Sequence, residues 1–220
     1  RSPLLSNHLG YDKTVLQLPY DVATANRLLD EAGWVKGENG LRTKDGKPLT
    51  LRLFSQATSE YQYVTRELQK QWRELGVDIQ VTLQSAQDLQ QITIAQHNYD
   101  ILVYGISVGK DPDVFTYWHS SQATVRSGGS LNFSEYRSGV ADKALEAGRT
   151  REGNELRAIK YKPFLEAWRT DAPALALYQP RMLYITRTPI ANFDPRTFNA
   201  ASDRYSNIEN WMIRVGKTVK

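Results

Sequence analysis

The stretch YDILVYGISVGKDPDVFTYWHSS, residues 99–121, decides the fold and indicates where a ligand would bind. It opens with an apolar run, which is typical of a central strand covered on both faces of a sheet. The run breaks at Gly105 and passes through a polar bend to Asp111-Pro112 and an aromatic cluster. A purely structural loop does not need such residues. We therefore interpret the stretch as a buried strand that ends at a ligand-facing rim.

Upstream of this strand, hydrophobic periodicity alternates between helix and strand. Residues 58–75 predict a helix that Gly76 ends, residues 77–84 alternate as a half-buried strand, and residues 86–96 predict a short helix. The inward side chains expected of the short helix are Leu89, Ile92 and Ala95. The order β-α-β-α-β favours a largely parallel sheet, because helix-length crossovers join parallel strands.

The first part of the chain predicts a capped helix and a hairpin. Asp21 is a suitable N-cap for a helix that Gly33 ends, and Asn39-Gly40 and Asp45-Gly46 are turn signals. The turns flank a segment that leads into an alternating strand with Leu49, Leu51 and Leu53. The apolar helix face consists of Ala25, Leu28, Leu29 and Ala32.

Downstream of the rim, residues 138–149 and 152–170 predict helices, and Pro163 indicates that the second is kinked or divided in two. Its expected core face comprises Leu156, Ile159, Phe164, Leu165 and Trp168. Residues 171–188 read as two short strands separated by Pro180. The sequence thus predicts an α/β fold, with a mixed, mostly parallel sheet flanked by helices.

Composition excludes several functional classes. The chain lacks cysteine, so neither a disulfide nor thiol chemistry is expected. Its 28 Lys and Arg are interspersed with 24 Asp and Glu, which argues against a nucleic-acid partner. The three histidines, His8, His97 and His119, lack metal-ligand spacing, and no nucleotide-binding or hydrolase motif occurs. We expect a binding protein with no metal, no cofactor and no catalytic residue, rather than an enzyme.

Several segments together resemble one family, the extracellular solute-binding proteins that serve peptide and nickel ABC importers (the dipeptide/oligopeptide-binding class, family 5). The resemblance lies in the Tyr-Asp helix, the Asp-Gly-x-Pro-Leu strand entry, the Leu-Gly-Val helix-to-strand step, the Tyr-Asp strand before Asp-Pro and the Pro-x-x-x-Leu-Tyr strand. These segments read YDVATANRLLDEAGW, KDGKPLTLRLF, LQKQWRELGVDIQVTLQ, YDILVYGISVGKDPDVF and APALALYQPRMLYITR.

The resemblance implies a domain organisation. Residues 1–20 would be an extended lead-in, 21–188 the C-terminal lobe of a type II periplasmic-binding-protein-like fold, and 189–220 a return segment contacting an N-terminal lobe that is missing here. We interpret the chain as a fragment. The implied partners are a small solute, with a peptide favoured, and a membrane permease. The implied location is extracellular or periplasmic, with a cell-surface lipoprotein as an alternative.

The ligand would lie beyond the carboxyl end of the strand in residues 99–105, as in other open α/β sheets. Glycines there would let backbone approach a peptide, Ser107 would hydrogen-bond it, and aromatic side chains, Tyr117 among them, would wall a pocket. The candidate ligand-binding residues are Tyr104, Gly105, Ser107, Val108, Asp111, Phe115, Trp118 and Asn132.

The sequence departs from the family in one respect. Many peptide-binding members have a Trp followed three positions later by an Asp that pairs with the peptide's α-amine, and here these positions are Gly105 and Val108. Either Asp111 substitutes, or the ligand is not a peptide with a free N-terminus. A metal chelate remains an alternative ligand, and a signalling or adhesion module that lost transport is an alternative function.

Structural roles compete for several of these residues. Asp111 before Pro112 is a common helix cap, and Phe115 and Trp118 share a helical face that could belong to the core. Asn132 and Tyr136 match an Asn-x-x-x-Tyr stretch of the family. They could line the cleft or form a surface turn, and for Tyr136 we favour the turn.

Overall fold

The computed structural model describes residues 1–124, 130–181, 183–194 and 201–213. Its contacts divide the chain into two compact units. The sheet unit comprises Leu18–Ser107 and Phe115–Lys143, and the helical unit comprises Arg1–Gln17, Val108–Val114 and Ala144–Lys220. The predicted division at residues 20 and 188 follows the family resemblance and stays a prediction.

The sheet unit contains a three-stranded parallel sheet. The strands are β4 (Thr50–Gln56), β5 (Asp78–Gln84) and β6 (Ile101–Val103), and β4 lies between the other two. Helix α2 (Ser59–Glu74) connects β4 to β5, and a short helical segment connects β5 to β6. The predicted β-α-β-α-β order and the parallel pairing are confirmed.

The prediction of a central strand at residues 99–106 is wrong in position and length. Among the described residues β6 pairs only with β4, whose Leu53 is buried, and β6 ends at Val103. Tyr104 and Ile106 then emerge with 40% and 39% of their surface exposed. An apolar run indicates burial of a strand but does not distinguish the middle of a sheet from its edge.

A small antiparallel sheet precedes β4. It consists of β1 (Val35–Lys36), β2 (Arg42–Lys44) and β3 (Lys47–Pro48) in that order. The turn between β2 and β3 has Asp45 and Gly46 at φ values of 51° and 75°, as a two-residue hairpin requires. The predicted hairpin is therefore confirmed.

Helix α1 (Val22–Glu31) begins as predicted but is more exposed than expected. The Asp21 carboxylate accepts a hydrogen bond from the Thr24 amide at 2.9 Å, which confirms the N-cap. The helix buries none of its residues, and Leu28 of its apolar face is 53% exposed.

The connection between β5 and β6 is helical with an unpredicted geometry. Helix α3 (Ala86–Asp88) continues as a π-helical turn, Leu89–Ile94, in which the Ala95 amide bonds the Gln90 carbonyl. The wider turn shifts the buried face to Leu89, Thr93 and Ile94. Leu89 is inward as expected, whereas the prediction for Ile92 and Ala95 is wrong because it assumed ordinary helical spacing.

Three further helices follow, α4 (Phe115–Trp118), α5 (Gly139–Thr150) and α6 (Asn154–Asp171). Helix α6 is continuous through Pro163, so the two-helix alternative is wrong. It buries Tyr161, Phe164, Leu165 and Trp168, while the predicted core residues Leu156 and Ile159 are 55% and 65% exposed.

The last part of the helical unit is turn-rich. The described residues of 171–188 contain no strand, so the prediction of two strands there is wrong. Further on, a bridge joins Ala191 to Met212, and 3₁₀ turns occupy Ala201–Tyr205 and Ile208–Asn210. Among the described helices, none is both long and apolar enough to cross a membrane.

Candidate functional site

The carboxyl end of the parallel sheet presents exposed residues directly after β6. Because parallel strands end at the same edge, this is where open α/β sheets bind ligands. Tyr104, Gly105 and Ser107 are all exposed here. The sequence prediction therefore agrees with the position of these three residues, and their contact with a ligand stays a prediction.

Three aromatic side chains cluster at this edge, and we call them the aromatic wall: Tyr104, Tyr117 and Phe133. The Tyr104 and Phe133 rings meet edge to face, with centroids 5.4 Å apart, and Tyr117 lies 6.4 Å from Phe133. All three rings are partly or largely exposed. The wall thus offers a carbon-rich surface to solvent.

Hydrogen bonds fix the two tyrosines of the wall. The Tyr104 hydroxyl donates to Gln90 Oε1 at 3.2 Å, and the Tyr117 hydroxyl donates to the Ser107 carbonyl at 3.1 Å. Burial raises the pKa of Tyr117 above its ordinary value of 10.0, with a smaller contribution from Tyr104. The Tyr117 phenol therefore stays neutral at physiological pH.

Gly105 has a packing reason to be glycine. A β-carbon at this position would lie 2.8 Å from the Tyr61 hydroxyl oxygen, which is closer than real contacts allow. Burial raises the pKa of Tyr61, whose hydroxyl bonds the backbone at Gly105. Close approach of Tyr61 from helix α2 therefore accounts for the glycine without a ligand.

Helix α4 carries two of the predicted residues in different environments. Phe115 is half-buried and stacks on His119 with ring centroids 3.9 Å apart. Trp118 is buried, at 7% exposure. Core packing is therefore the better interpretation of Trp118, whereas Phe115 keeps an exposed portion.

Asn132 is fully buried and organises the loop that carries Phe133. Its amide nitrogen donates to the carbonyls of His119 and Tyr136 at 3.1 and 2.9 Å, and its oxygen accepts from the Tyr136 amide at 3.0 Å. This burial does not favour direct ligand contact. Tyr136 is also buried, so its interpretation as a surface turn residue is wrong.

A second group of contacts anchors the same loop from the segment before β6. The Tyr99 hydroxyl donates to the Phe133 carbonyl at 2.6 Å, and His97 contacts Glu135 at 3.1 Å. Burial, with a smaller contribution from Glu135, raises the pKa of Tyr99 to about 12. The backbone at Phe133 is therefore held independently of its ring.

In the helical unit, Asp111 is committed to an internal ion pair. Its two carboxylate oxygens accept from Arg157 at 2.8 and 3.0 Å, and one also accepts from the Asp113 amide at 2.9 Å. The bonds from Arg157 lower the pKa of Asp111. The helix-cap interpretation is wrong, because α4 begins only at Phe115.

The other predicted residue of the helical unit is Val108, which is buried at 8% exposure. The loop after it is fixed by His8, whose Nε2 lies 2.8 Å from the Gly109 carbonyl. Neither an exposed carboxylate nor an accessible side chain therefore stands at the position where peptide-binding members have an Asp.

The described residues contain no group of three His, Cys, Asp or Glu side chains that could hold a metal ion. An open surface cleft lies on helix α2, with Tyr20, Glu67, Lys70, Gln71 and Glu74 as its lining. It shares no residue with the predicted site, and its charged, solvent-facing lining gives no reason to place a ligand there.

Sequence reasoning missed two members of the site, Phe133 and Gln90. Phe133 directly follows Asn132, so the match to Asn-x-x-x-Tyr was the available signal. Gln90 carried no signal, because only the π-helical turn brings its side chain to Tyr104.

The fold and this rim define a class of protein, the solute-binding proteins built on α/β lobes. The family model for bacterial extracellular solute-binding proteins, family 5 (middle part), matches residues 1–127. The chain therefore belongs to this family. Because the family consists of solute-binding proteins, the expectation of a binding protein rather than an enzyme is confirmed.

Particular relatives support the assignment. Oligopeptide-binding protein AppA of Bacillus subtilis is 26% identical over 216 residues, which cover 96% of this chain and 38% of that protein. NikZ from Campylobacter jejuni, solved with Ni(L-His), matches at a TM-score of 0.69 and 26% identity, over 77% of this chain and 34% of NikZ.

The AppA structure, in complex with a nonapeptide, matches at a TM-score of 0.68 and 21% identity, over 78% of this chain and 34% of that chain. At that identity the likeness shows the fold alone. The chain thus spans between a third and two fifths of the relatives it matches.

Proposed function

We propose that this chain is part of the substrate-binding component of an ABC importer, which captures a peptide or peptide-like solute and delivers it to a membrane permease. The observation that carries the proposal is the exposed aromatic wall at the carboxyl end of the parallel sheet in a family 5 chain. The nonapeptide held by AppA in its solved complex supports the choice of solute.

The proposed binding mode combines backbone and aromatic contacts. The exposed backbone at Gly105 and Ser107 would hydrogen-bond a solute's main chain, and the wall would pack against its side groups. Such a surface tolerates different solutes because its rings provide area without a fixed hydrogen-bond pattern. A second lobe would close over the solute, and the permease would recognise the closed form.

The proposal also covers the whole protein. Its location would be extracellular or periplasmic, in agreement with the family description, and a lipid-anchored form at the cell surface is the variant of this proposal. The lobe missing from this chain would supply the opposite wall of the cleft. Residues 189–220 would contact that lobe.

Native mass spectrometry of the gently purified full-length protein tests the proposal. We expect bound mass that dissociates on activation and fragments as one or more short peptides. Heat-treated and refolded protein is the matched control, since it should have lost the co-purified mass and should regain it from a peptide mixture. Protein that stays empty with peptides and with metal chelates would contradict a transport role and favour the signalling or adhesion alternative.

A metal chelate is the second candidate solute. NikZ with Ni(L-His) is among the similar structures, and Val108 replaces the acidic residue expected for an α-amine. With no three-ligand cluster among the described side chains, a metal would have to arrive with its own chelator. Bound mass with a metal isotope pattern would favour this candidate over a peptide.

A further inference from the structure

We infer that Phe133 is a specificity-determining residue of this site, and that the aromatic wall selects solutes carrying an uncharged aromatic or branched aliphatic group. The inference rests on the proposed function. It adds both the residue and the chemical class of the group that the wall contacts.

The position of Phe133 is fixed by bonds that do not involve its ring. Tyr99 holds its carbonyl at 2.6 Å, and the buried Asn132 ties the flanking backbone to His119 and Tyr136. A loop built in this way presents the ring rather than depending on it. The ring can therefore be changed while the backbone keeps its anchors.

The Phe133 ring joins the two tyrosines into one surface. It contacts Tyr104 edge to face at 5.4 Å and lies 6.4 Å from Tyr117. Edge-to-face pairs leave a ring face and ring edges open for a third apolar group. Loss of the Phe133 ring would separate the two tyrosines and remove the continuous apolar area.

The polar atoms of the wall are already engaged inside the chain. Both tyrosine hydroxyls donate their protons inward, to Gln90 and to the Ser107 carbonyl. The surface left for a solute is mostly carbon. An ammonium or carboxylate pressed against it would lose water without gaining a partner of opposite charge, which is unfavourable.

Gln90 gives the wall its second anchor. It lies on the π-helical turn Leu89–Ile94, whose Leu89 and Ile94 are buried at 1% and 3% exposure. π-helical turns are frequent at functional sites because they re-aim side chains. Here the turn places Gln90 where it can accept the Tyr104 hydroxyl proton.

The test uses the full-length protein and a mixture of random-sequence tri- to hexapeptides. Bound peptides are recovered after washing and sequenced by mass spectrometry. For the wild type we expect enrichment of Phe, Tyr, Leu and Ile at one peptide position, relative to Lys, Arg, Asp and Glu. Phe133→Ala should reduce this enrichment and lower the affinity for a Phe-containing peptide about three- to tenfold, the range typical of one aromatic pair.

Three further variants separate specificity from folding. Phe133→Leu should keep the preference for aliphatic groups and lose that for aromatic ones. Tyr117→Phe, which keeps the ring, should retain the apolar enrichment. Tyr20→Ala removes an aromatic ring that is 77% exposed outside the wall, and it should leave the bound pool unchanged.

The outcomes distinguish this inference from the proposed function. Peptides that bind the wild type and Phe133→Ala with the same composition would overturn the role of Phe133 while leaving peptide binding intact. Enrichment of charged residues at every position would overturn the chemical class. Failure of the wild type to retain any peptide would overturn the peptide proposal and this inference together.

Discussion

At the scale of single residues, the most informative side chain is Asp111. It stands closest in sequence to the missing amine anchor, yet both its oxygens bond Arg157. A carboxylate held in this way is poorly suited to a ligand amine, because the amine would have to displace a bidentate guanidinium. Of the two alternatives that the sequence left open, the structure thus favours a ligand that does not depend on an α-amine carboxylate here.

Asp111→Asn distinguishes an internal ion pair from a ligand anchor. Asn keeps an oxygen for the Asp113 amide but loses the charge opposite Arg157. We expect a loss of about 0.5–1 kcal/mol in the free energy of unfolding, since the carboxylate is largely exposed, and unchanged solute affinity. Thermal unfolding and titration calorimetry measure the two quantities, with Asp45→Asn in the exposed hairpin turn as control. A tenfold or greater loss of peptide affinity at unchanged stability would show that Asp111 binds the amine.

His8 makes the stability of the helical unit depend on pH. Burial lowers its pKa below 6.5, although the Gly109 carbonyl and Asp111 oppose the shift. The unfolded chain therefore binds more protons than the folded one just below pH 6.5, so the contribution of neutral His8 is present above that pH and lost as the pH falls through the folded value.

The corresponding experiment compares the wild type with His8→Leu between pH 5 and 7.5. The wild type should lose stability toward pH 5 more steeply than the variant, so the difference between their unfolding free energies should shrink as the pH falls. Chemical denaturation at each pH measures this difference. A difference that stays constant or grows in acid would contradict a neutral, buried His8.

At the scale of elements, Arg42 of β2 connects three of them. It is buried, and its guanidinium donates to the Leu75 and Trp34 carbonyls, the Asn26 side chain and Asp30. Helix α1, the small sheet and the end of α2 thus share one set of bonds. Gly76 belongs to this arrangement, since a β-carbon there would lie 2.8 Å from Arg42 Cγ.

Arg42→Lys should destabilise the sheet unit by about 2–4 kcal/mol, because an ammonium cannot reproduce the planar fork and would leave buried carbonyls without donors. Chemical denaturation followed by circular dichroism measures the loss. Arg66→Lys on the exposed side of α2 is the matched control and should be neutral within about 0.5 kcal/mol. An equally small effect of Arg42→Lys would mean that the bonds of this guanidinium contribute little to stability.

The elements also show what the sequence could and could not predict. Periodicity and turn residues gave α1, α2, α5, β4, β5 and the hairpin, because each depends on local signals such as Asp21 or Asp45-Gly46. The edge position of β6 was not predictable, since strand order depends on pairing between distant segments. The burial shift at Ile92 required a π-helical turn. For the candidate site, Tyr104 and Ser107 followed from the strand end, whereas Phe133 and Gln90 came from elsewhere in the chain.

At the scale of the whole molecule, the chain comprises two units that each have a core of their own, and a family model assigns it to the family 5 solute-binding proteins. The sheet unit carries the aromatic wall, while the helical unit uses its charged residues in internal pairs such as Asp111 with Arg157. The central claim is that the wall faces the solute in the full-length protein.

Hydroxyl-radical footprinting read by mass spectrometry tests this claim most directly, because it reports the exposure of individual aromatic side chains. It should be performed on the full-length protein with and without the solute recovered from it. We predict that the solute reduces modification of Tyr104, Tyr117 and Phe133 at least threefold while Tyr20 and Tyr63, which lie outside the wall, react unchanged. Equal modification of the wall in both states, at saturating solute, would contradict the account.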